Sequence, residues 1–165
     1  MWNMPLVSRS LLALAMASLL LVLARAPAVP ATWTWPLAAP HRVVAVFVAP
    51  LTPYSAGHRG LDLATLVGTP VLAPSAGIVS FVGRIADREL ISISQGDGVI
   101  STLEPVNPTV SLGDHVSAGQ QIGVAATGGH CTNVCVHFGV RVFGEYVSPL
   151  IFLDGVERAV LLPLE

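Results

Sequence analysis

Two short segments of the chain hold most of the side chains that could do chemistry. The first is "GHRGLDLA", residues 57–64. In an extended segment side chains alternate, so His58 and Asp62 share one face while Leu61 and Leu63 take the other. An imidazole and a carboxylate placed this way converge on one metal ion if the glycine-containing stretch between them bends. A surface histidine beside a turn aspartate would give the same spacing, so this segment alone decides nothing.

The second segment is "GGHCTNVCVHFGVRV", residues 128–142, which contains both cysteines and two of the five histidines. Apolar residues recur at every second position from Val134 to Val142. This alternation predicts a strand that buries the valine face and points Cys135 and His137 the other way. A core histidine bonded to backbone is the alternative, and the position of His137 on the polar face argues against it.

Together the two segments supply His58, Asp62 and His137 as candidate zinc ligands. Two imidazoles and one carboxylate leave a fourth position for water, which is the arrangement of catalytic rather than structural zinc sites. Zinc lowers the pKa of such a water and polarises a carbonyl group. We therefore predict one zinc ion per chain at these three residues.

The two cysteines allow three interpretations. In a straight strand the Cα atoms of Cys131 and Cys135 would be roughly 13 Å apart, four steps of about 3.3 Å, whereas a disulfide needs less than about 7 Å. A bridge therefore requires a turn, which Thr132 and Asn133 permit. We predict this disulfide; Cys135 as a fourth zinc ligand, closing the site, and two free thiols are the alternatives.

The elements that must position these residues are predicted to be strands. Short β-branched runs are separated by Gly, Pro, Asp and Ser, and no helical period exceeds two turns. This pattern predicts an all-β fold, an antiparallel sandwich or barrel-like single domain. The predicted strands cover residues 43–48, 70–73, 77–83, 89–94, 99–104, 121–126 and 134–143.

The N-terminal residues have a different composition. Arg9 precedes an apolar run over residues 11–24, which is shorter than the roughly 20 residues of a membrane-spanning helix. We predict that residues 1–31 are a signal peptide or an N-terminal anchor and that the protein is secreted or held in the cell envelope. Residues 32–42 are predicted as a linker, 43–155 as the β domain and 156–165 as a C-terminal tail.

Composition excludes several classes of function. The chain has 165 residues, and its eight basic residues are all arginines. Without Arg9 and Arg25, six arginines face ten acidic residues, a formal charge of −4. A nucleic-acid footprint is therefore absent, and we expect no membrane contact beyond the N-terminal segment. Residues 67–79 and 112–123 are similar Gly-containing segments, and hairpins of this kind also build lipoyl and biotinyl carriers. A carrier needs a lysine for attachment of its cofactor, and the chain has none, so this function is excluded. A phosphocarrier domain of sugar transport would have to be cytoplasmic, and the predicted N-terminal signal or anchor argues against that class of function.

Residues 57–153 resemble the zinc peptidases of the lysostaphin and LytM type, family M23. The resemblance is carried in order by "GHRGLDLA", "GTPVLAPSAGIVSFVG", "VSLGDHVSAGQQIG" and "VHFGVRVFGEYVSPLIFL". It implies an antiparallel β fold with a groove, a single zinc ion held by His58, Asp62 and His137, and cleavage of peptides in bacterial peptidoglycan. The sequence does not indicate an oligomeric state.

The chain departs from the family pattern at both proton-transferring histidines. Cys135 stands where the family has the first histidine of His-x-His, and Glu104 stands nine positions before Gly113, where the family has its other histidine. We hypothesise that Glu104 and His130 replace them as catalytic residues. The leading function is a zinc metalloendopeptidase acting on peptidoglycan peptides; the alternative is an inactive relative that binds cell-wall peptide or regulates another wall hydrolase.

Overall fold

The computed structural model describes residues 33–52 and 55–153. The predicted signal segment (1–31) and C-terminal tail (156–165) lie outside the described residues. No helix in the described part is long and apolar enough to cross a membrane. Two 3-10 helices, Gly129–Cys131 and Pro149–Ile151, accompany eleven strands: β1 Val43–Ala45, β2 Gly60–Ala64, β3 Pro70–Leu72, β4 Gly77–Ile85, β5 Arg88–Gly96, β6 Val99–Glu104, β7 Val106–Pro108, β8 His115–Val116, β9 Gln121–Ala125, β10 Cys135–Val142 and β11 Glu145–Val147.

The strands form two antiparallel sheets. The larger sheet has the order β1-β2-β10-β6-β5-β4-β8, and β11 pairs with β10 as well. The smaller sheet has the order β3-β9-β7. The predicted all-β, antiparallel, single-domain fold is confirmed. Strand β10 lies between β2 and β6 and therefore places the two candidate segments side by side.

The core lies on one face of the larger sheet, where apolar side chains from several strands pack together. On β2, Leu61 and Leu63 are buried as their alternation with His58 and Asp62 predicts. On β10, Val136, Phe138 and Val140 are fully buried. The opposite face of these strands is thereby left to the polar side chains of the candidate site.

Two strand predictions need correction. The strand expected from residue 134 begins at Cys135, and Val134 is 60% exposed because it belongs to the preceding turn rather than to the buried face. The run at residues 43–48 forms a strand only over Val43–Ala45, and Val46 and Val48 are exposed. This run lies at the edge of the sheet, where it pairs with β2 on one side.

The segment predicted as a linker contributes to the core. Trp33 is buried, and its ring stacks on Phe152 with 4.6 Å between the ring centroids. Trp33 also forms a parallel bridge with Leu153, and Leu37 is buried nearby. Residues from the two ends of the described chain therefore close one side of the core, a contact between distant segments that local composition does not reveal.

Candidate metal centre

Three functional candidates form one row across neighbouring strands. Asp62 on β2 lies opposite His137 on β10, and His137 lies opposite Glu104 on β6. Residues directly opposite in an antiparallel pair point to the same face of the sheet. The row therefore carries a carboxylate, an imidazole and a second carboxylate on the face turned away from the core leucines.

His58 is positioned by the exposed edge segment. Its backbone exchanges two hydrogen bonds of 2.9 Å with Val48. Its ring Nδ1 atom lies 2.7 Å from the carbonyl oxygen of Val46. Because a carbonyl oxygen only accepts, Nδ1–H is the donor, and the Nε2 atom of the neutral ring keeps its lone pair. An outer hydrogen bond of this kind fixes the orientation of a metal-binding histidine.

The donor atoms converge closely. Nε2 of His58 is 3.0 Å from Oδ1 of Asp62 and 3.1 Å from Nδ1 of His137. Nδ1 of His137 is 2.8 Å from the same carboxylate oxygen. Electron-rich atoms this close repel one another unless a proton or a metal ion lies between them. The donor set thus fits a cation, and two imidazoles with a carboxylate are ligands that suit zinc.

The carboxyl group of Asp62 is ionised at neutral pH. Its burial opposes ionisation, but the hydrogen bonds and positive charge provided by His137 and His130 outweigh that effect and hold the pKa of Asp62 well below its usual range. The carboxylate can then only accept hydrogen bonds or bind a cation. The Asp62 carboxylate lies within hydrogen-bonding distance of His58, His130 and His137.

Glycine at position 60 makes room for the His137 ring. A Cβ atom at Gly60 would lie 2.7 Å from Nε2 of His137 and 2.3 Å from the carbonyl oxygen of Phe138. The paired position across the ladder is Gly139, where a Cβ atom would lie 3.2 Å from the carbonyl oxygen of Arg59. The imidazole therefore occupies a space that only glycine at position 60 leaves open.

His130 joins the cluster from a short loop. Its Nε2 atom lies 2.9 and 3.1 Å from the two carboxylate oxygens of Asp62. Each of His58, Asp62, His130 and His137 offers a ligand atom, and these four atoms lie within 4.8 Å of one another. The four residues, called here the His/Asp cluster, form a group that could hold a metal ion.

The predicted disulfide is present and shapes this loop. Cys131 and Cys135 are bonded, with Cα atoms 5.0 Å apart. The turn that the bridge requires passes through Thr132 and Asn133, which have φ values of 37° and 73°. With its sulfur in the bridge, Cys135 is not available as a thiolate ligand. The bridge ties the His130 loop to the first residue of β10.

The side chain of Glu104 pairs with an arginine and not with the residues of the His/Asp cluster. Its Oε1 atom lies 3.0 Å from Nε of Arg88. The angle is not that of a hydrogen bond, and this buried N–H has no acceptor among the described residues, so the contact is an ion pair. Arg88 itself begins β5. The structure thus places Glu104 beside His137 and holds its carboxylate with a guanidinium group.

A groove of about 550 Å³ runs past these residues. Its charged lining, among the described residues, is made of three arginines and Glu104, in addition to His137. Arg59 and Arg141 lie against the ring of Tyr146, with 5.7 and 5.8 Å from guanidinium carbon to ring centroid. Because His137 and Glu104 are among its lining residues, the groove reaches the face of the sheet that carries the candidate site.

The structure thus brings together His58, Asp62, His137 and His130 and sets Glu104 next to them. Sequence reasoning missed two residues of the site, Arg88 and Gly60. Arg88 lies in a stretch without any motif, and nothing in the sequence connects it with Glu104. Gly60 stands inside "GHRGLDLA", and an isolated glycine within a strand pattern is a signal for close approach of another group.

Comparison with known proteins agrees with this geometry. The model of the family described as Peptidase family M23 matches residues 56–149. An uncharacterized protein of Mycobacterium tuberculosis is 38% identical over 128 residues, which are 73% of this chain and 51% of the relative. The DD-carboxypeptidase/endopeptidase Mpg of Neisseria meningitidis is 29% identical over 94 residues, which are 56% of this chain and 22% of Mpg. The chain therefore spans about half the length of the mycobacterial relative.

Among solved structures, a mutant of the catalytic domain of the prophage-encoded M23 protein EnpA from Enterococcus faecalis superimposes with a TM-score of 0.59. The two chains are 27% identical, and the match covers 68% of this chain and 92% of the EnpA domain.

Proposed function

Because the chain belongs to peptidase family M23, we propose that it is a zinc metalloendopeptidase that cleaves peptides of bacterial peptidoglycan. The observation that carries the proposal is the convergence of Asp62, His58 and His137, whose donor atoms lie 2.8 to 3.1 Å apart. Residues from two strands and an edge segment meet at this point, although 75 residues separate Asp62 from His137.

His58, Asp62 and His137 would hold the zinc ion, which supplies Lewis acidity that activates water and polarises a peptide carbonyl group. The hydrogen bond from His58 to the Val46 carbonyl oxygen keeps Nε2 free to bind. Gly60 keeps the space that the His137 ring needs. The ion pair with Arg88 keeps the second carboxylate of the row, Glu104, from becoming an additional ligand.

Hydrolysis of a peptide bond requires one group that takes a proton from the attacking water and one that gives a proton to the departing amine. We assign the first role to Glu104, whose carboxylate lies on the same face as His137 and is oriented by Arg88. We assign the second role to His130, whose ring nitrogen reaches the cluster. As the C–N bond breaks, the proton from His130 goes to the amine nitrogen.

The groove is the proposed binding place of the peptide. Its three arginines suit a peptide that carries carboxylate groups. A wall substrate implies a location outside the cytoplasm, which agrees with the predicted N-terminal signal or anchor. The relative Mpg is named as a DD-carboxypeptidase/endopeptidase, and this name supports a peptidase activity for the proposed site.

The proposal is tested by incubating the full chain, loaded with one equivalent of zinc, with purified peptidoglycan. We expect release of soluble peptides with new amino termini, and loss of that release on chelation of zinc. The D62A variant serves as the inactive control. A zinc-loaded protein that releases no peptide from any wall preparation would contradict the proposal.

A second candidate is a non-hydrolysing relative that binds wall peptide or regulates another wall hydrolase. It is favoured by one observation, the disulfide at Cys135. The position at which the family carries a proton-transferring histidine is here locked in a bridge. Binding of the zinc-loaded protein to peptidoglycan without release of peptide would support this candidate instead.

A further inference from the structure

The His130 ring lies against the carboxylate of Asp62, a closer contact than a general acid would need before substrate binds. Its Nε2 atom approaches both oxygens of Asp62, at 2.9 and 3.1 Å. The rings of His58, His130 and His137 meet edge to face around that carboxylate, with interplanar angles of 87°, 68° and 80°. Three imidazole rings thus surround one carboxylate.

Four of the six separations between the donor atoms are close to those of a tetrahedral site, and all four atoms lie within 4.8 Å of one another. Zinc ligands lie about 2.0 to 2.1 Å from the ion, so neighbouring donor atoms of a tetrahedral site are roughly 3.3 Å apart. The separations that involve Asp62 Oδ1 are 3.0 Å to His58, 2.9 Å to His130 and 2.8 Å to His137. His130 is therefore as close to the common oxygen as the two histidines of the family motif.

The loop that carries His130 is fixed from two sides. On one side the disulfide joins it to β10. On the other side, the backbone N–H of Gly129 donates a hydrogen bond of 3.1 Å to the side chain of Asp87. A Cβ atom at Gly129 would lie 2.7 Å from the Arg88 side chain, so the loop packs directly against the β4–β5 turn. His130 is placed by this packing and is not a freely moving surface residue.

We propose that His130 is the fourth protein ligand of the metal in the resting protein, which gives a site of three histidines and one aspartate with no position left for water. This inference rests on the proposed function and adds regulation to it. The His130 side chain is 51% exposed, against 21% for His58 and 11% for His137. It is therefore the ligand that an entering substrate would displace. The released Nε2 atom carries a lone pair, so it would first take up a proton from solvent and would then give that proton to the departing amine.

The test compares the full-length parent with H130A, and uses H115A as a matched control because His115 is an exposed histidine on β8. X-ray absorption at the zinc edge counts the imidazole ligands, and competition with a chelator gives the zinc affinity. We expect three imidazoles in the parent and two in H130A. The affinity of H130A should fall by at least about tenfold, since even outer partners of metal ligands contribute roughly 10- to 100-fold.

A second readout uses the cobalt-substituted proteins and azide as a probe. We expect azide to leave the visible spectrum of the parent unchanged, because no coordination position is open, and to change the spectrum of H130A. H130Q is measured in the same way, as a second variant that lacks the imidazole ring. Circular dichroism of the metal-free proteins confirms that each variant is folded.

The results separate this inference from the proposed function. Two imidazoles in the parent, with equal zinc affinity in parent and H130A, would overturn the fourth-ligand assignment and leave the three-ligand site standing. A parent that binds no more zinc than D62A would overturn both. Three imidazoles in the parent with azide access only in H130A would support the fourth-ligand assignment, whereas release of peptide from peptidoglycan tests the proposed function.

Discussion

Arg88 lies 3.0 Å from the carboxylate of Glu104, and Glu104 is the cross-strand neighbour of His137. The guanidinium group holds the Glu104 carboxylate on the face of the sheet that also carries His137. A carboxylate has two oxygens, so a contact of Arg88 with one of them leaves the other able to accept a proton. The pair therefore suits a positioned base better than a metal ligand.

The first prediction concerns this carboxylate. In E104Q we expect peptide release to fall by about a hundredfold or more, because a general base contributes roughly 10² to 10⁴ to the rate. Zinc content should not change, because Glu104 is not a ligand. Initial rates of peptide release, measured with zinc content confirmed, check this. E145Q is the control, since Glu145 is exposed on β11. Full activity in zinc-loaded E104Q would remove Glu104 from the catalytic residues.

The second prediction concerns Asp62, the group that touches every histidine of the cluster. In D62A we expect zinc affinity to fall by about a hundredfold or more, at or beyond the upper end of the loss seen when outer partners of metal ligands are removed. Without the Asp62 carboxylate, only neutral imidazoles remain as ligands, and no negative charge balances the positive charge of the zinc ion. Zinc stoichiometry after dialysis against a weak chelator measures the effect. D114A, in an exposed turn, should retain zinc, and retention by D62A would show that the ligands are misassigned.

The third prediction concerns Gly60. In G60A the new methyl group meets the His137 ring at 2.7 Å and the Phe138 carbonyl oxygen at 2.3 Å, both too close. We expect a loss of about 1 to 3 kcal/mol in the free energy of unfolding, as for overpacked sites, together with weaker zinc binding. Urea unfolding of the metal-free protein measures the first effect.

The control for this variant is G83A, since Gly83 is also inside a strand and a Cβ atom there first meets the ring edge of Phe81 at 3.3 Å. We expect G83A to bind zinc as the parent does. Equal stability and equal zinc affinity in G60A and the parent would mean that the His137 ring is placed differently.

The fourth prediction concerns the disulfide. The bridge closes a very short loop, with a sequence separation of 4. Its removal in C131A/C135A should cost about 2 kcal/mol in the free energy of unfolding, because a short loop restricts the unfolded chain only modestly. Denaturant unfolding of the double variant checks this. Alanine is preferable to chemical reduction, because the sulfur atoms lie within 4.8 Å of an Asp62 oxygen and free thiols there would compete as ligands.

A loss of stability much greater than this would show that the bridge also supports the core. No loss at all would show that the turn at Thr132 and Asn133 holds its shape without the bond.

The sequence predicted the parts of the fold that depend on local alternation. Leu61 and Leu63 enter the core and Asp62 faces away from it, as a period of two requires. The pairing of His137 with Asp62 followed from the family motifs. The burial of Trp33 against Phe152 could not be predicted, because it joins residues from opposite ends of the described chain and a Pro- and Ala-rich stretch gives no sign of it.

The contact between Arg88 and Glu104 was hidden for a related reason. It is set by the neighbouring positions of β5 and β6 in the sheet, and neither residue belongs to a spacing pattern. The position of His130 could be predicted in part from the sequence, because the bridge between Cys131 and Cys135 forces a turn beside it. Its distance from Asp62 depends also on the packing of Gly129 against Arg88, which only the three-dimensional structure provides.

The position of β10 in the larger sheet has a consequence for how the protein is made. A ribosome completes β2, β4, β5 and β6 well before it reaches β10, yet β10 lies between β2 and β6 and is the strand that joins them. Until it inserts, the sheet is two separate halves, and Asp62 lacks the partner that follows it by 75 residues. Binding of the proposed zinc ion would thus be a late event that reports a finished domain, and a chain cut short before β10 would neither close its sheet nor complete the proposed ligand set.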